Sequence, residues 1–413
     1  MVRGTGSPTT SVHTFAPAQA GDPAEGDPLG IRSRPARQQP GWDSDPRLPE
    51  VRAELAGKPP LVRGDDVRLL RARLAAVANG QAQVILAGDC AEDPAECTAD
   101  DVARKAQLVE LLASVLSIAT EQPVVRVGRI AGQFSKPRSR PTERVGGREM
   151  PTYLGHMVNR PEPDPAVRQP DPRHMLLGYH AAAQVMTHLG WLGSRDDEVE
   201  PPMWTSHEAL LLDYELPLLR RDEDGRMLLA STHWPWIGER TRQPEGAHVR
   251  LLSEVVNPVA CKVGPEATVD EVLALCEHLD PWREPGRLTL VARMGAAVVA
   301  DRLPELVSAV RVAGHPVIWL CDPMHGNTLN TPAGLKTRFV EAIVQEVRHF
   351  HAAVRDAGGG KAGGLHLEAT PDDVTECVAN RHQIDQVTTK YTSLCDPRLN
   401  PSQAVSVVSA WAK

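Results

Sequence analysis

Short apolar runs recur along the chain, and polar or reactive side chains follow several of them directly. Four such segments are QVILAGDCAE, LTLVARMG, PVIWLCDPMHGNT and GGLHLEAT. A short apolar run rich in β-branched residues that ends abruptly is typical of a buried strand. Because polar side chains come next each time, we expect the carboxyl ends of these strands to open onto a chemical site.

The alternation of strand-like and helical segments over 413 residues favours an α/β fold, a single (β/α)8 TIM barrel. Apolar residues at helical spacing between Pro46 and Asn79 predict an N-terminal helical extension that leads to the first strand. The third and fourth strand signals are weak. The expected barrel strands are Val84–Ala87, Val124–Arg129, Pro202–Trp204, Leu229–His233, Val259–Val263, Leu288–Arg293, Val317–Cys321 and Leu365–Glu368.

The first 39 residues are rich in Gly, Pro, Ser, Thr and Ala and show no helical or strand periodicity. This composition is typical of a flexible segment. We therefore predict an N-terminal tail over residues 1–39 and one catalytic domain over residues 40–413, which includes the N-terminal helices.

The charge and cysteine content exclude several classes of partner. A net charge of -8 leaves no basic surface for nucleic acid. No apolar run approaches the roughly 20 residues that cross a bilayer, so no membrane role is expected. Seven cysteines spread over a long chain, with no apolar signal core at the start, predict a reduced cytoplasmic protein.

Two sets of residues carry candidate chemistry. The first set lies among apolar residues between Ser231 and Pro265, which indicates a small anionic ligand. It consists of Glu239, Arg240, Arg242 and Lys262. A second set supplies one thiolate, one imidazole and two carboxylates, a mixture that suits a divalent transition metal. Any one of its members alone would more often be structural. That set is Cys90, His325, Glu368 and Asp396.

These residues lie in segments that resemble the motifs of type II 3-deoxy-D-arabino-heptulosonate 7-phosphate (DAHP) synthases. The matching segments are GDCAE, RIAGQFSKPRS, TSHEALLLDYE, WIGERTRQ, NPVACKVGP, RMG, CDPMHGNT, HLEAT with VTEC, and CDPRLN. The resemblance covers nearly everything beyond the first forty residues. It implies a TIM-barrel transferase that condenses phosphoenolpyruvate with erythrose 4-phosphate and water, giving DAHP and phosphate at the start of the shikimate pathway.

The resemblance also implies roles for individual residues. The metal set would bind Mn²⁺ or Co²⁺, with Zn²⁺ or Fe²⁺ as alternatives that a thiolate accepts. Phosphoenolpyruvate would be held by Arg240, Lys262 and Arg293, with Arg129 and Lys136 at its carboxylate and the neighbouring substrate. Arg138 and Ser139 would hold the phosphate of erythrose 4-phosphate. The substrate-binding set is Arg129, Lys136, Arg138, Ser139, Trp236, Glu239, Arg240, Lys262 and Arg293, and its catalytic members are Glu239, Lys262 and Arg129.

Several of these residues have an ordinary structural alternative. Trp236 is as readily a packing residue as a substrate contact. Glu239 is either the salt-bridge partner of Arg240 or the group that orients the attacking water. Arg242 and Arg338 fit isolated surface arginines, and we expect His207 and Glu208 of the TSHEALLLDYE segment to be structural.

The chain also departs from the family pattern, and these departures leave rival functions open. Leu154 and His156 stand where an arginine and an aspartate are expected, and the connection Gly190–Trp204 is short. The short form resembles the enzymes of phenazine-type secondary metabolism. The rivals are an amino-DAHP synthase that uses an imino sugar phosphate, and a catalytically silent homologue that acts as a scaffold. The protein is expected to be a homo-oligomer, a dimer.

One further expectation concerns redox chemistry. Cys395 directly precedes Asp396, so a site that gathers Asp396 and Cys90 also brings two sulfurs together. A disulfide between Cys90 and Cys395 is then geometrically accessible when no metal is bound, if their Cα atoms lie within roughly 7 Å.

Overall fold

Eight parallel strands close into a barrel in the computed structural model, which describes residues 29–193, 203–358 and 360–411. Each strand pairs with the next in chain order, and the last pairs with the first. The strands are β1 (Gln83–Gly88), β2 (Val124–Arg129), β3 (Trp204–Glu208), β4 (Trp234–Ile237), β5 (Val259–Val263), β6 (Leu288–Ala292), β7 (Ile318–Cys321) and β8 (Lys361–Glu368).

An α-helix follows each of the eight strands, and two helices precede the first, so the (β/α)8 fold with its helical extension is confirmed. The extension is α1 (Leu48–Ala56) and α2 (Gly64–Ala78). The helices that follow the strands are α3 (Ala99–Thr120), α4 (His174–His188), α5 (Leu212–Glu215), α6 (Ala247–Glu254), α7 (Val269–Leu279), α8 (Val299–Val312), α9 (Val340–Asp356) and α10 (Pro401–Val408).

Burial on both faces of the barrel explains why the strands are nearly continuous apolar runs. Every residue of β5 and β6 is buried, because one face points into the barrel and the other meets the helices. On the outside, α9 turns Ile343, Val347 and Phe350 toward the barrel. Among the described residues, no helix is long and apolar enough to cross a membrane.

The strand predictions hold for six segments and fail for one. β4 is Trp234–Ile237 and not Leu229–His233; the preceding apolar stretch, Met227–Leu229, pairs with Leu219–Arg221 in a separate hairpin. Two short apolar runs lie close together here, and only pairing with β3 and β5 decides which one enters the barrel. The third prediction, Pro202–Trp204, overlaps β3 (Trp204–Glu208) only at Trp204. Pro202 lies outside the described residues, together with the rest of residues 194–202 in the short connection.

Part of the predicted tail is packed against the barrel. Ile31 is fully buried, and Gln39 donates from Nε2 to the Leu210 carbonyl at 2.8 Å while its Oε1 accepts from Leu212 N at 3.0 Å. The tail prediction is therefore wrong for residues 29–39, because polar side chains in an irregular segment fix it through hydrogen bonds that periodicity does not reveal. Residues 1–28 lie outside the described part of the chain.

One buried arginine ties together the ends of two helices at the amino-terminal face of the barrel. The Arg287 guanidinium donates to four carbonyls, those of Leu252, Val255, Asn257 and Leu279. The first lies in the last turn of α6 and the last ends α7, so these bonds satisfy carbonyls that a helix terminus leaves without partners. Burial lowers the pKa of Arg287 to about 10, which leaves it charged at neutral pH.

We expect Arg287→Lys to lower the free energy of unfolding by about 2 to 4 kcal/mol, because an ammonium cannot reach all four carbonyls and leaves buried acceptors unsatisfied. Urea denaturation at unchanged m-value measures the loss. The exposed Arg355, which pairs with Asp356, gives the control: Arg355→Lys should change stability by less than about 0.5 kcal/mol. Equal effects of the two substitutions would contradict the structural role of Arg287.

Candidate active site at the barrel mouth

The carboxyl ends of the strands meet at one mouth, and the candidate residues come from these ends and the loops after them. Arg129 ends β2, Glu368 ends β8 and Lys262 lies in β5. Cys90 lies two residues beyond β1, and His325 follows β7 in the 3₁₀ turn His325–Asn327. Parallel strands in a closed barrel bring such residues together although they are up to hundreds of positions apart in the sequence.

A thiol and two carboxylates form a compact cluster at the centre of the mouth. One donor atom each from Cys90, Glu368 and Asp396 lie within 4.8 Å of one another. Cys90 Sγ is 3.5 Å from Asp396 Oδ2, and the Asp396 amide donates to the same sulfur at 3.3 Å. His325 adjoins the cluster, with Nε2 at 3.2 Å from Glu368 Oε1.

The orientation of His325 is set from behind by Asp322. The Asp322 carboxylate lies 2.7 Å from His325 Nδ1, so the imidazole donates there and turns Nε2 toward Glu368. A carboxylate behind an imidazole in this way is the usual support of a histidine metal ligand. With thiol, imidazole and carboxylate donors converging on one point, the residues present fit a divalent transition metal.

Cations surround the carboxylates of this cluster. Glu368, fully buried, pairs with Arg338 at 2.8 Å, Arg129 at 3.2 Å and Lys136 at 3.8 Å. Burial by itself raises the pKa of Glu368, but His325, Arg338 and Arg129 hold it well below its usual range. The carboxylate is therefore ionised and available as a ligand.

Asp396 is balanced by two lysines. Its Oδ1 lies 2.6 Å from Lys336 Nζ, and its Oδ2 lies 3.8 Å from Lys136 Nζ. Burial raises the pKa of Asp396, and Lys136 contributes most to the net lowering below its usual range. Burial also raises the pKa of the Cys90 thiol, and the neighbouring Cys395 thiol raises it further.

A second cluster surrounds the Trp236 ring. The Arg129 guanidinium carbon lies 5.2 Å from the ring centre and Lys262 Nζ lies 5.7 Å from it, both in cation–π range. His366 meets the ring edge-on at 5.0 Å. Trp236 is fully buried, so it packs the mouth and also presents its ring to both cations.

Asp322 connects the two clusters. The same Oδ2 that faces His325 accepts from Lys262 Nζ at 2.8 Å. Burial lowers the pKa of Lys262, and Asp322 opposes that effect. Arg293 lies beside them and donates to the His325 carbonyl at 3.2 Å.

The remaining predicted cations line one side of the rim. Arg240 donates to Ser139 Oγ at 2.8 Å, and both residues are exposed. Arg138 is half-buried, pairs with Glu143 at 2.9 Å and donates to the Tyr153 carbonyl at 3.1 Å. This side of the mouth is open, whereas the clusters around Glu368 and Trp236 are enclosed.

The interpretation of Glu239 as the partner of Arg240 is wrong. Glu239 Oε1 accepts from Arg242 at 3.0 Å, and its Oε2 accepts from the Gly264 amide at 2.6 Å. Arg242 is itself mostly buried, so the surface interpretation fails for it as well. Glu239 and Arg242 are three positions apart, a spacing that brings them together in a tight turn.

The sequence interpretation missed Arg338, Asp322 and Lys336. Arg338 is fully buried against Glu368 and is not a surface arginine. Nothing in its local sequence, KTRFV, distinguishes it, because its partner lies on another strand. Asp322 had a local signal, since it stands three residues before His325.

Two groups that the sequence left as structural or as departures have clear contacts. His207 Nε2 pairs with Glu215 at 2.9 Å in a buried contact away from the clusters, in agreement with a structural role. The Leu154 carbonyl accepts from the Lys136 amide at 2.8 Å, and His156 Nδ1 lies 2.7 Å from the Tyr153 hydroxyl.

Comparison with known proteins gives a consistent match. The model of the Class-II DAHP synthetase family matches residues 27–196 and 185–412. A probable phospho-2-dehydro-3-deoxyheptonate aldolase of Pseudomonas fluorescens is 58% identical over 378 residues, covering 91% of this chain and 94% of that protein. A phospho-2-dehydro-3-deoxyheptonate aldolase of Streptomyces coelicolor is 40% identical over 425 residues, with the same two coverages.

A solved structure, the truncated form of 3-deoxy-D-arabino-heptulosonate 7-phosphate synthase from Thermotoga maritima, is a more distant likeness. It shares 16% identity, covers 79% of this chain and 84% of its own, and has a TM-score of 0.37.

Because the Asp396 amide donates to Cys90 Sγ and Cys395 directly precedes Asp396, we expect mild oxidation of the metal-free protein to join Cys90 and Cys395. Bound metal should slow the reaction, since it occupies Cys90. Disulfide mapping by mass spectrometry, with and without metal, measures the linkage. Inactivation without this linkage, or inactivation unchanged in Cys395→Ser, would show that the two sulfurs do not react with each other.

Proposed function

The chain belongs to the class-II DAHP synthetase family and is a 3-deoxy-7-phosphoheptulonate synthase, and we propose that the barrel mouth is its active site. There, phosphoenolpyruvate condenses with erythrose 4-phosphate and water to give DAHP and inorganic phosphate, the first step of the shikimate pathway. The observation that supports this site most is the double contact of Asp322, which joins the donor set at His325 to the cation Lys262.

We assign Cys90, His325, Glu368 and Asp396 as the ligands of Mn²⁺ or Co²⁺, with Zn²⁺ or Fe²⁺ as alternatives that the thiol also suits. These residues would hold a divalent cation that would supply Lewis-acid polarisation of the aldehyde oxygen of erythrose 4-phosphate. Lys136 and Lys336 balance the charge of Asp396 beside the ligands.

The cations around Trp236 are proposed to bind phosphoenolpyruvate. Arg129 and Lys262 lie on this ring, and Arg293 lies beside His325. Fixed positive charges of this kind stabilise the charge that phosphate carries as it leaves, and they hold two mutually repelling anions in reacting geometry. Arg240 would extend the same phosphate contacts toward the rim.

The pocket for erythrose 4-phosphate is proposed on the open side, where Arg138, Ser139 and Arg240 meet. C3 of phosphoenolpyruvate then attacks the aldehyde carbon, water adds at C2, and the bond from C2 to the phosphate oxygen breaks. Glu239 is proposed to orient that water and accept its proton. Arg242 and the Gly264 amide fix the carboxylate for this role.

The rival functions are not favoured. A scaffold homologue would be expected to lose a ligand or a phosphate cation, and the chain keeps all of them. The relatives above are named as aldolases of phospho-2-dehydro-3-deoxyheptonate, not as enzymes of an imino sugar. Supply of a specialised pathway and a cytoplasmic location remain proposals. So does a homodimer, for which Leu111, Ile118 and Leu177 offer exposed apolar surface on α3 and α4.

We expect activity to disappear with a chelator and to return with Mn²⁺, followed as phosphate released from phosphoenolpyruvate in the presence of erythrose 4-phosphate. His325→Ala should lose most turnover while keeping its thermal unfolding midpoint, because a half-buried ligand contributes more to the site than to the core. The exposed His382 provides the control, and His382→Ala should keep full activity. Full turnover by metal-free protein would rule out this function.

The two phosphate sites should separate in kinetics. Arg138→Ala should raise KM for erythrose 4-phosphate more than KM for phosphoenolpyruvate, and Arg293→Ala should do the opposite. Loss of a charge-assisted contact costs about 1.5 to 3 kcal/mol, on the order of tenfold to a hundredfold. Arg148→Ala, at an exposed position of the hairpin strand Arg148–Pro151, should change neither constant. Equal effects of Arg138→Ala and Arg293→Ala on both substrates would contradict the assignment.

A further inference from the structure

Two loops of the mouth lie against each other backbone to backbone. One follows β6 and carries Arg293, and the other follows β7 and carries His325. They touch at Gly295 and Gly326: a Cβ added at Gly326 would lie 2.2 Å from the Gly295 nitrogen. Gly295 also has φ of 91°, which favours glycine. The contact therefore depends on both residues having no side chain.

A buried carboxylate on α9 lies behind this contact and bonds to both loops. Glu346 is fully buried. Its Oε1 accepts from the Gly295 amide at 2.7 Å and from the Met294 amide at 3.1 Å. Its Oε2 accepts from Asn327 Nδ2 at 2.6 Å. One carboxylate thus holds the residues next to Arg293 and a residue two positions from His325.

Asn327 completes the link from the other side. Its Oδ1 accepts from the Ala296 amide at 3.1 Å, and its Nδ2 also donates to the Pro323 carbonyl at 2.8 Å. The side-chain amide cannot turn over without losing these bonds. Glu346 and Asn327 therefore join the two loops by hydrogen bonds. Glu346 bonds to the β6 loop and to Asn327, and Asn327 bonds back to the β6 loop at Ala296.

The position of Glu346 on its helix makes a purely structural explanation insufficient. Ile343, Val347 and Phe350 on the same face of α9 are core residues, and an apolar residue at position 346 would extend that core without burying a charge. A carboxylate there is costly unless its hydrogen bonds are needed. What those bonds fix is the distance between Arg293 and His325.

We infer that Glu346 is a positioning residue that couples phosphate binding at Arg293 to metal binding at His325. The inference rests on the proposed function of those two residues. Movement of either loop is transmitted to the other through Glu346, so each ligand prepares the site of the other. Glu346 itself touches neither ligand.

The test compares two buried carboxylates that both brace loops of the mouth. Glu376 accepts from the Ser393 and Arg398 amides, each at 2.7 Å, and so holds the segment that carries Cys395 and Asp396. Within the described part of the chain, its side chain accepts hydrogen bonds from Thr392, Ser393 and Arg398 and from no residue of the Arg293 loop. Glu346→Gln keeps an oxygen acceptor for the amides of Met294 and Gly295, but its new NH2 group faces the Asn327 NH2 group, so two donors meet. Glu376→Gln instead disturbs the segment that carries Cys395 and Asp396.

For Glu346→Gln we expect the dissociation constants of Mn²⁺ and of phosphoenolpyruvate each to rise about tenfold or more, with KM for erythrose 4-phosphate changed less than about threefold. Glu376→Gln should weaken Mn²⁺ binding alone. Titration against a chromophoric chelator measures the metal, and calorimetry measures phosphoenolpyruvate binding with and without Mn²⁺. In Glu346→Gln the enhancement of one ligand by the other should shrink.

A double-mutant cycle tests the link without relying on the folding of a single variant. Asn327→Ala removes the same link from the opposite side, so its effect and that of Glu346→Gln should be strongly non-additive. The coupling role is wrong if the effects add, if Glu346→Gln weakens one ligand only, or if it lowers the unfolding midpoint with both affinities unchanged. If instead the wild-type protein binds both ligands but releases no phosphate, the proposed function fails and the coupling stands.

Discussion

The buried charge of Glu368 is the constraint on which the mouth depends. A fully buried carboxylate is tolerated only when cations and hydrogen bonds surround it, and removal of one partner leaves an uncompensated charge. Arg129 comes from the end of β2, Arg338 from beyond β7, and Lys136 from the loop after β2. Closure of the barrel between β1 and β8 brings these partners within reach, so the fold and the site's charge balance depend on each other.

Asp322 repeats the same arrangement on a smaller scale. Its carboxylate is fully buried and faces His325 and Lys262, one from each cluster. A group that fixes a metal ligand and a phosphate-binding lysine at once makes the two clusters one electrostatic unit. The backbone contact of Gly295 with Gly326 also joins the Arg293 loop to the His325 loop, through packing. Charge and packing therefore both oppose independent movement of the metal-binding and phosphate-binding clusters.

Much of the fold could be predicted because strand ends have a local signal, and much of the site could not because ion pairs do not. The apolar run and polar ending that mark β1, β6, β7 and β8 are visible within ten residues of sequence. Arg338 and Glu368 are 30 positions apart and meet only in the closed barrel, so Arg338 resembled a surface residue. The bounds of β4 were predicted wrongly for a related reason. Two apolar runs lie close together in the sequence, and strands elsewhere in the chain determine which of them pairs into the barrel.

The open side of the mouth follows a different rule, because backbone groups make many of its contacts. Gln38, in the left-handed region at φ 62°, accepts from the Arg138 amide at 2.8 Å, so a segment that resembled a tail braces the rim. Likewise the Leu154 carbonyl, not its side chain, holds the Lys136 amide. A substitution at 154 that keeps the backbone path therefore preserves the hold on Lys136. The expected arginine can be absent there without loss of Lys136, the cation that faces both Glu368 and Asp396, which is why a departure beside the site is compatible with an intact donor set.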